Sequence, residues 1–154
     1  MSTLLAVSRP TEWNLPLFVH VLGAMILVGG LLAGASALAF ARGEARLLRL
    51  GYWTLLLVAL PGYLVMRTGA QWIYSKEGWD DLPDEAVPTW IDIGFIIADL
   101  GALLTVIALV VGGIGVRRLR DGKGAGLLKI AMVISLLVLA AALVAVWAMA
   151  GKPD

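Results

Sequence analysis

The stretch LFVHVLGAMILVGGLLAGASALAFA, from Leu17 to Ala41, decides the fold of this chain. It belongs to a run of 29 residues, Trp13 to Ala41, that contains no Asp, Glu, Lys or Arg. About 20 apolar residues are enough to cross the ~30 Å hydrocarbon core of a bilayer. The run therefore predicts a membrane-spanning helix, and this helix carries the single histidine of the chain, His20.

Three more apolar runs follow, and the four spans are predicted at about 14–41, 50–74, 90–116 and 130–150. Of the 154 residues, 60% are hydrophobic and 15% are charged, whereas soluble domains are about 45–50% apolar. We therefore expect one all-α transmembrane domain over 1–154, an antiparallel up-down bundle of four helices. The first run exceeds the roughly 7–15 apolar residues of a cleavable signal peptide, so we expect it to be retained.

Two local motifs predict departures from plain helices. The Gly30-x-x-x-Gly34 spacing lets two helix backbones approach closely, which favours helix association in lipid. Pro61-Gly62 interrupts the second span, because proline lacks a backbone donor, and predicts a kink near Leu60.

The basic residues predict the orientation in the membrane. The loops between spans 1 and 2 and between spans 3 and 4 hold eight of the twelve Lys and Arg residues. The opposite side holds Arg9, Lys76 and Lys152, and Arg67 lies within a span. Because short cytoplasmic loops carry the excess of Lys and Arg, both termini and the acidic loop are expected to be extracytoplasmic.

Ionisable residues inside spans are candidates for functional sites. Arg67 and Asp99 each lie 17 positions from the basic end of their span, at roughly 25 Å. His20 lies about 9 Å below the opposite end of the first span, so the three groups share one layer. An ion pair between Arg67 and Asp99 is the structural interpretation, and Asp92, on the same helix face as Asp99, is the alternative partner.

His20 has several interpretations. It either bonds one backbone carbonyl and serves only packing, or it acts as an axial ligand of haem b, a proton-carrying group opposite Asp99, or a hydrogen-bonding partner of a quinone-like head group. One histidine cannot supply both axial ligands in a monomer, and Met25 and Met66 are the thioether candidates at the right depth. We expect His20 to face the bundle interior, with room for a ligand beside Gly23.

The polar loop SKEGWDDLPDEAVPT, from Ser75 to Thr89, places five acids against one lysine. Pro83 and Pro88 predict a solvated loop without regular structure. Its carboxylates suit a hard cation, but the EF-hand spacing is missing, so no metal site is assigned. The chain has no cysteine, which excludes thiolate-bound metals and iron–sulfur clusters.

At FVHVLGAMILVGG, from Phe18 to Gly30, the first span resembles a family of predicted four-helix bacterial integral membrane proteins. The first span of that family opens on an LHVLGA-like motif followed by paired glycines. The first span of this chain is also similar, more remotely, to that of the copper-resistance D type of membrane domain and of the haem-linked protoporphyrinogen oxidase of bacteria. The resemblance implies a multi-pass protein of the bacterial cytoplasmic (inner) membrane, and His20 is the one residue that it carries across.

Composition and motifs narrow the function classes. A net charge of +1 without a basic stripe argues against nucleic acid as a partner. No nucleophile and base are paired in the sequence, which argues against a hydrolase or a transferase. We predict a small non-catalytic membrane component or subunit, in contact with the lipid bilayer, with a polar pocket around His20, Arg67 and Asp99. The alternatives are a redox protein that binds haem or quinone through His20 and a small transporter or channel. The protein could also work as a homo-oligomer or in a larger membrane complex.

Overall fold

The computed structural model describes residues 11–152, and its regular structure in that range is entirely helical. Arg9, which entered the charge count, lies outside the described residues. A 3-10 turn, Thr11–Trp13, leads into the first helix. The helices are α1 (Asn14–Phe40), α2 (Ala45–Thr54), α3 (Leu60–Lys76), α4 (Thr89–Arg118) and α5 (Ala125–Gly151).

The five helices form four spans, because a π-helical turn, Leu55–Ala59, joins α2 to α3 without a break. Each of the four continuous segments is long and apolar enough to cross a membrane. The all-α, four-span class predicted from the sequence is confirmed, and the chain is a multi-pass membrane protein.

The second span begins earlier than predicted and contains a π turn. It begins at Ala45 instead of Leu50, so most of the predicted loop 42–49 is helical. The reason is that Arg46 and Arg49 are exposed on the first turns of a helix that still buries Leu48 and Gly51. Next to Leu60, where the sequence predicts a kink, the helix contains the π turn, in which the Leu60 N–H donates to the Leu55 carbonyl just before Pro61.

The second span packs closely against α1 along its whole length. A Cβ built on Gly30 would lie 2.7 Å from the backbone nitrogen of Ala59, and one on Gly62 would lie 2.5 Å from that of Leu27. Near one end Gly69 meets the backbone of His20. Each step of three or four residues along α1 is matched by an equal step backwards along its partner. Glycine is therefore required at these positions by helix proximity.

The other extensive interface joins α4 to α5. Glycines again allow it, since Gly112 faces Ala131 and Gly115 faces Leu128. The helix α1 also packs against α5 and so links the two helix pairs, whereas α3 and α4 touch little. The weak contact between the second and third spans leaves grooves on that side of the bundle.

The two ends of the bundle differ in charge. We call the end with the connections 41–44 and 119–124 the basic end, and the end with the connection 77–88 the acidic end. The acidic connection, expected to be irregular, contains two single 3-10 turns, Trp79–Asp81 and Asp84–Ala86. At the basic end Gly122 and Gly124 have φ of +68° and +103°, a left-handed conformation that favours glycine.

A candidate ligand pocket around His20

The His20 side chain is anchored to the neighbouring span by one hydrogen bond. Its Nδ1 lies 3.0 Å from the backbone carbonyl oxygen of Met66. A carbonyl oxygen can only accept, so Nδ1 carries the hydrogen and donates it. In the neutral imidazole this leaves Nε2 with a free lone pair, ready to accept a hydrogen bond or to bind a metal.

Two cavities open beside His20 near the acidic end. The mouth cavity, of about 370 Å³, is lined largely by aromatic side chains, and the inner cavity, of about 80 Å³, extends deeper between the helices. Both are lined by His20, Ala70, Phe95 and Met149. His20 therefore stands on a wall common to both spaces, on the interior side of α1.

The aromatic lining of the mouth cavity comes from the first three spans and from the connection 77–88, whereas α5 contributes Met149. Trp79 covers it from that connection and is held in place because its Nε1–H donates to Glu77 at 2.6 Å. The Tyr74 hydroxyl donates to the Trp79 carbonyl at 3.4 Å. The Lys152 ammonium lies 5.2 Å from the centre of the Trp90 ring. Flat faces and a cation thus surround the entrance.

Arg67 forms part of the inner cavity and is held by three partners. Its Nε lies 3.4 Å from Asp99 Oδ1, and its Nη1 donates to Gln71 Oε1 at 3.1 Å. The guanidinium carbon also lies 4.7 Å from the centre of the Phe95 ring, a cation–π contact. The structure thus pairs Arg67 with Asp99.

The two aspartates of α4 lie outside the pocket. Asp99 lines neither cavity, and 66% of its side chain is exposed on the bundle surface. Asp92 is exposed in the first turn of α4, where a negative charge favourably meets the positive end of the helix dipole. Within residues 11–152 Asp92 makes no ion pair. The expected layer therefore divides, with His20 and Arg67 at the cavities and Asp99 outside them.

The positions of the methionines and of Gly23 relative to His20 differ in part from those predicted. Met25 is 68% exposed and faces away from the bundle, so it is not a partner for His20. Met66 lines the inner cavity, and Met149, which the sequence analysis missed, lines both. Gly23 leaves no room beside the ring, because it packs against the Met66 backbone. The space comes from Ala70 and from the separation of the helices instead.

The pocket combines apolar walls with few polar groups. Among the side chains that the structure describes, no three His, Asp or Glu residues group as a metal site. What it offers is an aromatic cavity, one imidazole acceptor and a fixed guanidinium.

The comparisons with known proteins add no relative to this picture. No family model, no curated protein and no solved structure matches the chain.

Proposed function

We propose that this protein is a non-catalytic component of the bacterial cytoplasmic membrane that holds a small, flat, lipid-soluble molecule in the mouth cavity. The ligand class that fits best is a quinol-like ring with hydroxyl donors. The observation that carries the proposal is the hydrogen bond from His20 Nδ1–H to the Met66 carbonyl, because it fixes Nε2 as an acceptor at the cavity wall.

The size and lining of the cavity support this ligand class. Binding pockets for small molecules have volumes of about 300–1,000 Å³ and combine apolar walls with a few polar groups. The mouth cavity has about 370 Å³. Its aromatic side chains include Trp13, Trp90 and Phe95, whose faces suit stacking with a planar ring.

The imidazole acceptor distinguishes two redox states of such a ligand. A quinol hydroxyl donates a hydrogen bond to His20 Nε2, whereas the oxidised quinone has only acceptors. One neutral hydrogen bond contributes about 0.5–1.5 kcal/mol. The reduced ring should therefore bind about 2- to 13-fold more tightly than the oxidised one.

The test is binding of a short-chain benzoquinol and its quinone to the purified protein in detergent, followed by quenching of tryptophan fluorescence. The expected result is a preference for the quinol in the wild type and equal affinities in His20→Phe, which keeps a ring but removes both nitrogens. Leu22→Phe is the matched control, because Leu22 is on α1 but is 39% exposed outside the cavities. The control should keep the preference.

Two results would contradict the proposal. Absence of saturable binding of either form rejects the ligand class. A preference for the quinol that survives in His20→Phe shows that the acceptor is another group and removes His20 from the site.

Haem b is the second candidate ligand, favoured by Met149. His20 Nε2 and the Met149 thioether line the same cavities, and together they are the His/Met donor set of some haem proteins. The Nδ1–H bond to a backbone carbonyl is the usual outer support of a metal-bound histidine. A Soret band in the purified protein that disappears in His20→Phe supports haem, and its absence from protein expressed in a haem-producing host rejects it.

The placement in the membrane is part of the same proposal. The surplus of Lys and Arg at the basic end supports a cytoplasmic location for that end, with both termini and the pocket extracytoplasmic. Membership of the four-helix family that the first span resembles is likewise proposed. A transporter needs a path of polar groups that continues through the basic half of the bundle. Among the described residues, the buried polar side chains there are Thr105 and Ser135. Two hydroxyl groups do not form such a path, so we do not propose transport.

A further inference from the structure

A groove runs along the outside of the bundle between the second and third spans, in the basic half. Its volume is about 560 Å³, and its walls are mainly apolar, with Leu60, Val106 and Val110 among them. Most of these side chains are exposed or half-buried on the bundle surface. It is separate from the cavities beside His20, which lie near the opposite end.

The groove is built by small and aromatic residues near its basic end. A Cβ on Gly112 would lie 2.9 Å from the Tyr52 ring, and one on Gly113 would lie 2.9 Å from the Tyr52 hydroxyl oxygen. The two glycines thus let the Tyr52 ring approach α4 closely. Trp53 stands edge to face with Tyr52, at 5.5 Å between ring centres, and forms the rim.

Three arginines surround the basic end of this groove. Arg49, Arg117 and Arg120 line an adjoining space of about 570 Å³, which shares Trp53, Val116 and Arg117 with the groove. All three side chains are exposed, and within the described part of the chain none of them forms an ion pair. The apolar groove therefore ends at three arginines that have no ion-pair partner among the described residues.

The length of the groove matches one leaflet of a bilayer. From Val106 to Arg117 the helix α4 advances by eleven residues, or roughly 16 Å. This is about half of the ~30 Å hydrocarbon core. An acyl chain lying along the groove would reach the bilayer midplane while its head group stayed among the arginines.

We propose that the groove is a binding site for an anionic phospholipid, whose phosphate contacts Arg49, Arg117 and Arg120 and whose acyl chain lies between the second and third spans. Basic pockets between helices at the cytoplasmic surface recognise such head groups. Arginine suits phosphate because its planar guanidinium presents several N–H donors. Trp53 lies near the basic end of the bundle, at the level of the membrane–water interface, where tryptophan is enriched.

The charges of the chain argue against a second copy of the protein in this place. Copies inserted in the same orientation bring basic end to basic end, so the arginines would meet like charge. The acids of the connection 77–88, which could neutralise them, lie at the opposite end of the bundle. A phosphate carries the complementary charge at the right level.

The experiment is native mass spectrometry of the detergent-solubilised protein with phosphatidylglycerol or phosphatidylcholine of identical acyl chains. The test variant is Arg49→Gln/Arg117→Gln/Arg120→Gln. The matched control, Arg46→Gln/Arg118→Gln/Lys123→Gln, removes as many charges from the same end but outside the groove. A second test variant, Val110→Trp, fills the groove and keeps every arginine.

The wild type and the control should retain one phosphatidylglycerol in preference to phosphatidylcholine. The triple arginine variant should bind it about 100-fold more weakly, since each basic residue near the surface contributes about a fivefold step in affinity. Val110→Trp should also lose the lipid. Equal losses in both triple variants overturn the site. Displacement of the lipid by millimolar glycerol phosphate identifies a free phosphate site, and a dimer in place of the lipid adduct identifies a second copy. Either result overturns the lipid proposal.

Discussion

Replacing Gly30 with alanine tests the close packing between α1 and the second span. The new Cβ would lie 2.7 Å from the Ala59 nitrogen and 2.8 Å from its Cα. Carbon atoms in contact prefer about 3.5–4.0 Å, so the helices must separate by roughly 1 Å. A gap of that size removes about a quarter to a half of the attraction between facing atoms.

The adjacent Gly29 gives the matched control, because a Cβ there meets nothing within 4 Å. Alanine is about 0.8–1 kcal/mol better than glycine in a helix interior, so Gly29→Ala should be stabilising by that amount. Gly30→Ala has the same helical gain, but overpacking costs about 1–3 kcal/mol. The two variants should therefore differ by about 1–3 kcal/mol in the free energy of unfolding, with Gly30→Ala the less stable.

The assay is equilibrium unfolding in mixed micelles of a mild detergent and dodecyl sulfate, monitored by helicity. Gly34→Ala should lie between the two, because its closest contact would be the Leu55 side chain at 2.7 Å, which can change rotamer, and the nearest backbone atom, the Gly51 oxygen, would be 3.1 Å away. If Gly30→Ala is as stable as Gly29→Ala, the two backbones are not in contact and the packing described for α1 is wrong.

Two further predictions concern the ion pair and the orientation. Arg67 and Asp99 lie 3.4 Å apart inside membrane-spanning helices, and a charge left there without its partner is costly. The double variant should therefore lose less thermal stability than the sum of the losses in Arg67→Leu and Asp99→Leu, whereas additive losses would show no coupling. In the cysteine-free chain, Ser75→Cys should react with an impermeant thiol reagent applied from the periplasm and Lys123→Cys should not; the reverse pattern contradicts the orientation. Lys123 is chosen because the neighbouring Gly124 has φ of +103°, where a side chain is strained.

The fold could be predicted because it depends mainly on the lengths of the apolar runs along the sequence. Apolar runs long enough to cross a bilayer identify the four spans without knowledge of any contact. Depth could also be counted along each helix, which is why Arg67 and Asp99 were expected in one layer and are found 3.4 Å apart. Counting depth says nothing about rotation around the helix axis, and so Met25 was considered although it faces outwards.

The pocket and the groove depend on how helices are arranged around one another. Met149 belongs to the pocket because α5 packs against α1 and α4 near the acidic end, and apolar residues on every face of a membrane helix hide which neighbour it meets. The cluster of Arg49 with Arg117 and Arg120 joins residues about 70 positions apart in the chain. Only the charge of the two loops, not their meeting at one groove, can be read from the sequence.

The division of the bundle into two closely packed helix pairs has a consequence for its biogenesis. Each pair is a helical hairpin of neighbouring segments, α1 with the second span and α4 with α5, so each can enter the bilayer and pack before the other is made. The acidic connection 77–88 then joins two hairpins that can insert independently. His20 and Arg67 arrive with the first hairpin, whereas Phe95 and Met149 arrive with the second. The cavities beside His20 therefore form only when the hairpins dock, and the proposed ligand would contact both hairpins and stabilise the finished assembly.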